Sequence, residues 1–436
     1  MLETCDISFK EKANIFSQEY LKCILFINSL ESDTYIFTKK LCSKLITTSH
    51  ILEDFLDFHG AKRNKDWVFY RELSATIRHL SLACYSQRHT LNRFKFYHFE
   101  DGNHDDFKEE AVDTLKIIQE SIKLAVPVIL DEARRLSITI PESGYELSYF
   151  PGITSTQQLE HNIDDTTIKA HQKKNLTRIA SEFLDVVKDF EQFTFYERYD
   201  LEELHDLVPE KVNEVVIRSF EMRIHNIQSS FDSYVVSSRF SQETAVLYQL
   251  RSHFSIAFHI LQVMGRLLHF YERHLYDTGF KDVYKSISHE LSDLIDPDLL
   301  LDRAVNFCLF YVGKFLSTGK QVASRVLNEN METSSIEVGI PKDRGFHSRP
   351  SLLVAKIVQH YGGEVKLMIG EDQFDASSVL DIQWAGGKIN KEEIETVVFT
   401  GDSRALNDLV ILAGVNYGED HMGKGIPLPK ELSYLV

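Results

Sequence analysis

The chain has no Cys-x-x-Cys pair, and its five cysteines (Cys5, Cys23, Cys42, Cys84 and Cys308) are odd in number. No disulfide framework follows from that, so reduced, buried thiols are expected. Positive charge is also scarce: 48 Lys and Arg stand against 65 Asp and Glu, a formal charge of −17 over 436 residues. Phosphate backbones and anionic membrane surfaces call for basic patches, so nucleic acid and membrane are not expected partners. Long apolar runs are missing. His253–Phe270 is interrupted by His259 and Arg266, and Ala304–Leu316 is too short to span a bilayer. The first residues, Met1-Leu2-Glu3-Thr4-Cys5-Asp6, lack the basic and then apolar pattern of a signal peptide, and a cytoplasmic location is the expectation. What is present is 43% hydrophobic residues in a chain long enough for two or three domains.

Residues 1–327 read as helix almost throughout. Apolar periodicity places helices at roughly 8–30, 33–59, 65–97, 105–137, 166–195, 209–236, 240–277 and 296–327. Residues 1–140 form a first helical part. Residues 141–166, with Pro141, Gly144, Pro151 and Gly152, form a loop or boundary, and 167–327 form a second helical bundle. No glycine-rich phosphate loop occurs in this region. His79 and His89 are ten apart, as are His259 and His269, a faint echo that fits two related helical halves or, more simply, ordinary helical recurrence. A metal site is not expected. His253, His259, His269 and His274 are spaced six, ten and five apart, whereas ligands on one α-helix need three or four. The Glu-x-x-His in Glu202-Glu203-Leu204-His205 has no second copy, which a di-iron bundle requires. The aromatic patches around Trp67, Phe69, Tyr70, Phe94, Phe96, Tyr97 and Phe99 read as core. No cofactor is implied.

After a polar linker at 328–334 the pattern changes. Ser335–Ile340 is β-leaning, and Pro350–Tyr361 carries a helical face of Leu352, Leu353, Ile357 and Val358 that Gly362-Gly363 ends. Glu364–Ile369 alternates as a strand, and Gln373–Asp375 is a short second one. A short helix then runs through about Trp384, with Ser377 and Ser378 as cap residues. Glu395–Phe399 is a strand and Ser403–Gly414 a last helix. This mixture predicts an α+β domain over 335–420, with helices on one face of a small antiparallel sheet. A tail with two prolines, 421–436, lies beyond it and reads as an extended segment laid back against one of the domains.

The most informative stretch is Gly345-Phe346-His347-Ser348-Arg349-Pro350, where a strand gives way to a helix. Proline is tolerated in a first helical turn, and the orphan N–H groups there receive anions. An imidazole at that position can carry a phosphoryl group, with Arg349 as a second positive partner.

These residues, with Asp375-Ala376-Ser377-Ser378-Val379-Leu380 placing Ser378 thirty-one residues after His347, resemble the histidine-containing phosphocarrier protein of the bacterial sugar phosphotransferase system, HPr. Gly386, Val397-Val398-Phe399 and the helix from Ser403 follow in the family's order. The resemblance covers about 335–420 and implies an open-faced sandwich. It implies transfer through Nδ1 of His347 with Arg349 balancing the phosphate. Gly345, Ser348 and Pro350 would shape the active-site loop. Ser378 would be a regulatory phosphorylation site for an HPr kinase/phosphorylase. Leu352, Leu353, Val379 and Leu380 would face an enzyme I-like phosphoryl donor. Ser377, Asp381, Gln383 and Ser348 depart from the family's usual residues, which affects kinase recognition and partner choice. The helical region would bind a protein partner as the output. Alternatively it is an enzyme or ligand-binding module switched by the appended domain.

Overall fold

The computed structural model describes residues 7–30, 37–99, 104–153, 159–160, 172–193, 198–234, 242–276, 281–342, 344–420 and 422–435. Cys5, His421, much of the expected loop (154–158 and 161–166) and the expected helix ends at 33–36, 166–171, 194–195, 235–236, 240–241 and 277 lie outside them. The chain is mostly helical, with a small antiparallel sheet near its C-terminus, and it divides into two compact units.

The first unit comprises Met1–Ile163, Phe190–Asn226 and Arg251–Ser317. Its helices α1 (Phe9–Asn28), α2 (Lys39–Phe58), α3 (Val68–Phe94) and α4 (Asp105–Arg135) pack in a ring, α1 against α2, α2 against α3, α3 against α4 and α4 against α1. Each buries a stripe at three- and four-residue spacing, such as Leu41, Leu45, Leu52 and Leu56 on α2 and Leu115, Ile118, Ile122 and Ile129 on α4. Ser8 and Glu11 close a capping box that starts α1. The segment expected as a loop or boundary packs along α1 where it is described: Phe150 lies tilted against Phe26 at 4.7 Å, and Thr139 just before it accepts a hydrogen bond from Gln18 at 2.9 Å.

Next come α5 (Gln172–Phe190), α6 (Leu201–Leu207), α7 (Glu214–Tyr234) and α8 (Gln242–Phe270), the last continuing into a π-helical turn at Tyr271–Tyr276. Then follow α9 (Asp282–Ser292), α10 (Pro297–Asp302), a second π segment at Arg303–Leu309, and α11 (Phe310–Asn330). The sequence reading missed α6 and α9, both short. Phe94, Phe99, Phe107 and Phe315 form one aromatic cluster in the core, in line with the reading of those patches as packing.

The second unit comprises Asp164–Asp189, Ile227–Leu250 and Thr318–Val436. Its sheet has the order β1-β4-β2-β3, all neighbours antiparallel, from β1 (Thr333–Gly339), β2 (Val365–Ile369), β3 (Asp372–Asp375) and β4 (Thr396–Asp402). Phe399 faces Ile336 on one side and Leu367 on the other, so the three share one face. On that face α12 (Ser348–Tyr361), α13 (Val379–Glu392) and α14 (Ser403–Gly414) contribute Val354, Ile357, Ile382, Ile389, Leu406 and Leu409 to a single core.

Three expectations need correction. The supposed linker 328–334 is the end of α11 followed directly by β1, because the polar run continues the helix rather than breaking it. Nearly all of α5 and the end of α11 belong to this unit too: Arg404 donates to Ser181 at 3.1 Å and the Glu364 N–H to Asn328 at 3.1 Å. The helix expected to stop near Trp384 runs to Glu392, through Gly386-Gly387. Gly386 is small because the chain of Phe346 passes over it; a Cβ there would lie 3.1 Å from the Phe346 carbonyl. Finally, the tail is not extended throughout, since Lys430–Leu435 is a 3-10 turn, although it does lie back against this unit as its reading allowed. Leu432 and Leu435 are core residues, and Tyr434 stacks on His360 at 3.9 Å.

Candidate phosphoryl site and a buried histidine cluster

His347 is the N-cap residue of α12, and its side chain makes no capping bond. Its backbone carbonyl accepts from Ser351 at 3.1 Å, so the helix begins without using the imidazole. Pro350 occupies the first turn and is buried. Gly345 turns the chain into the site at φ 59°, the left-handed region that favours glycine.

The imidazole is held from behind. Nε2 lies 3.0 Å from Oε2 of Glu419, whose carboxylate is only 4% exposed, while the His347 side chain is 30% exposed. A carboxylate only accepts, so Nε2 carries the proton, and Nδ1 of the neutral ring keeps its lone pair. Among the described residues Nδ1 has no hydrogen-bond partner. Arg349 meets the same strip of chain: Gly425 lies so close beneath its guanidinium that a Cβ there would overlap it. Glu419 and Gly425 pair with each other as an isolated antiparallel bridge. The chain around the start of the tail thus meets both residues expected to handle phosphate, Glu419 at His347 and Gly425 at Arg349. No sequence signal marked Glu419, one of two adjacent acids beyond the last long helix.

Ser378 caps α13. Its hydroxyl accepts from the Asp381 N–H at 3.2 Å and donates to the Asp381 carboxylate at 3.1 Å. Of the expected partner surface, Leu352 and Leu380 are exposed and Val379 is half-buried. Leu353 is a correction: it points into the core, against Leu428 and Gly418. Trp384, one turn after Leu380, is exposed and went unread in the sequence.

The first unit holds a second constellation, which the spacing argument set aside. His79 stacks on His269 with ring centres 4.1 Å apart, and His274 lies 5.5 Å from His79. The π turn is the reason, since its hydrogen bonds close five residues apart and bring His269 and His274 to one face. His89 likewise meets His259 at 4.4 Å, so the ten-residue echo is two histidine pairs across α3 and α8. Burial, then the neighbouring imidazoles, hold His79 far below the usual imidazole range. Glu-x-x-His in α6 is a surface pair, His205 with Asp298 at 3.0 Å.

Among the described residues no helix is long and apolar enough to cross a membrane. No protein-family model, curated protein or solved structure matches the chain.

Proposed function

We propose that the chain is a cytoplasmic phosphocarrier-like regulator of a bacterial-type, phosphoenolpyruvate-dependent phosphotransferase system, and that His347 is its phosphoryl acceptor. The observation that carries the reading is the free Nδ1 of an N-cap histidine whose Nε2 is tied to a buried carboxylate. In the reaction, the Nδ1 lone pair attacks phosphorus on a phosphohistidine of an enzyme I-like donor. A new P–N bond forms as the donor's P–N bond breaks, and the donor imidazole keeps the electron pair. Glu419 holds the Nε2 proton throughout. The N-terminal N–H groups of α12 and the Arg349 guanidinium offset the phosphate charge. The donor would dock on the apolar side chains of Leu352, Leu380 and Trp384. The helical region would carry the output to a protein partner.

Incubation with phosphoenolpyruvate and enzyme I tests this. An acid-labile phosphate on the native chain and none on His347→Ala is the expected result; no label on the native chain, or equal label on both, sinks the proposal. One observation favours the second reading, in which the helical region is itself a ligand-binding or catalytic module: the buried imidazole cluster of the first unit.

A further inference from the structure

We propose that the first unit binds a divalent first-row transition metal of the zinc type through His79, His269 and His274. One ring nitrogen of each lies within 4.8 Å of the others. The site is deep, with His79 and His274 only 3% and 5% exposed. Three imidazoles and an open fourth position form a donor set that zinc accepts, and cobalt(II) takes the same sites. Zn–N bonds of about 2.1 Å set tetrahedral nitrogens roughly 3.4 Å apart. The rings therefore draw in by about 1 Å, a side-chain adjustment.

A histidine that merely fills a core has partners for both ring nitrogens. Here Nδ1 of His274 is hydrogen-bonded to Glu72 at 2.6 Å, leaving its Nε2, while Nδ1 of His269 lies 2.8 Å from Glu214 as a close contact outside hydrogen-bond geometry. Nδ1 of His79 is buried with no hydrogen-bond partner. A carboxylate stands beside two of the three imidazoles, and the one bonded to His274 aims its opposite nitrogen, as the outer shell of a metal site does. That shell is itself anchored, because Arg71 donates to Glu72 at 2.9 Å. One group competes. Arg78 lies 3.0 Å from Nε2 of His79, and ligation through Nδ1 leaves a proton on Nε2 facing that guanidinium. Arg78 gives up this contact on metal binding and keeps its contacts to His50 at 2.8 Å and Glu53 at 3.0 Å.

The experiment titrates the chelator-treated full-length chain with cobalt(II) alone and reads the visible d–d absorption, then displaces it with zinc. One equivalent should give an intense low-coordination band. His269→Gln and His274→Gln should each weaken binding at least about 100-fold, and Glu72→Gln by about 10- to 100-fold. His205→Gln, at the surface, should change nothing. Arg78→Ala removes the competing cation and should tighten binding, which keeps the proposal testable if a histidine variant fails to fold by circular dichroism. Absence of the band on the native chain overturns the proposal. So does an unchanged midpoint in the folded histidine variants, an equal loss in His205→Gln, or weaker binding in Arg78→Ala.

Discussion

Nε2 of His347 sits 3.0 Å from a Glu419 oxygen, and Glu419 is buried just where the chain leaves its last long helix. The other oxygen, Oε1, has no hydrogen-bond partner, so the imidazole is the one side chain engaging this carboxylate among the described residues. A charge-assisted hydrogen bond of this kind is worth about 1.5–3 kcal/mol. Glu419→Gln should therefore slow phosphorylation of His347 by roughly 10- to 100-fold. Single-turnover labelling by phosphorylated enzyme I measures this, and a rate equal to that of the native chain removes Glu419 from the site.

The tail should prove structural. Leu432→Ala opens a cavity in the core shared with α12 and α14 and should cost about 2–5 kcal/mol. A shifted urea midpoint for loss of the second unit's structure is the readout; an unmoved midpoint means the tail can detach without cost.

Ser378 separates capping from regulation. Ser378→Ala loses the N-cap of α13 and should destabilise the unit by about 1 kcal/mol. Ser378→Asp keeps a capping oxygen but sets a second carboxylate beside Asp381, as a phosphate would. Its stability should recover when Asp381→Asn is added, because the like-charge contact is then gone. If the double variant is no more stable than Ser378→Asp alone, repulsion at this cap is not the reason.

The pair His89 and His259 should make stability pH-dependent. Burial, then the Lys39 ammonium, lowers His89 from 6.5 to about 4. Burial, then His89, lowers His259 from 6.5 to about 3. Above 6.5 neither state is protonated at these rings and their contribution is complete. As pH falls below 6.5 the unfolded chain takes up protons that the folded one refuses until about 4 and about 3, so stability drops through that window. Denaturation midpoints between pH 7.5 and about 5.2 should fall for the native chain, and fall less for a His89→Gln/His259→Gln variant.

Periodicity made the long elements legible. Helices α1 to α4 and the succession of strands and helices along the chain after Ser335 follow from apolar spacing, and Gly345 announced its turn. Three things were not legible, each for a physical reason. Gly386-Gly387 reads as a stop, yet close passage of Phe346 requires the small residue inside a helix. The histidine cluster hides because spacing rules assume 3.6 residues per turn, and a π turn changes the face on which His274 lies. Glu419 reaches His347 through tertiary folding of a segment with no periodicity at all.

The second unit draws on three separated stretches, Asp164–Asp189, Ile227–Leu250 and Thr318–Val436. During synthesis on a ribosome the first two emerge long before the sheet and before Leu432 and Leu435. Their apolar faces, including Phe183, Val186 and Val187, then wait without a core to join. Completion of this unit is thus a late, long-range event, and nascent chains halted before residue 430 should lean on chaperones more than the finished protein does.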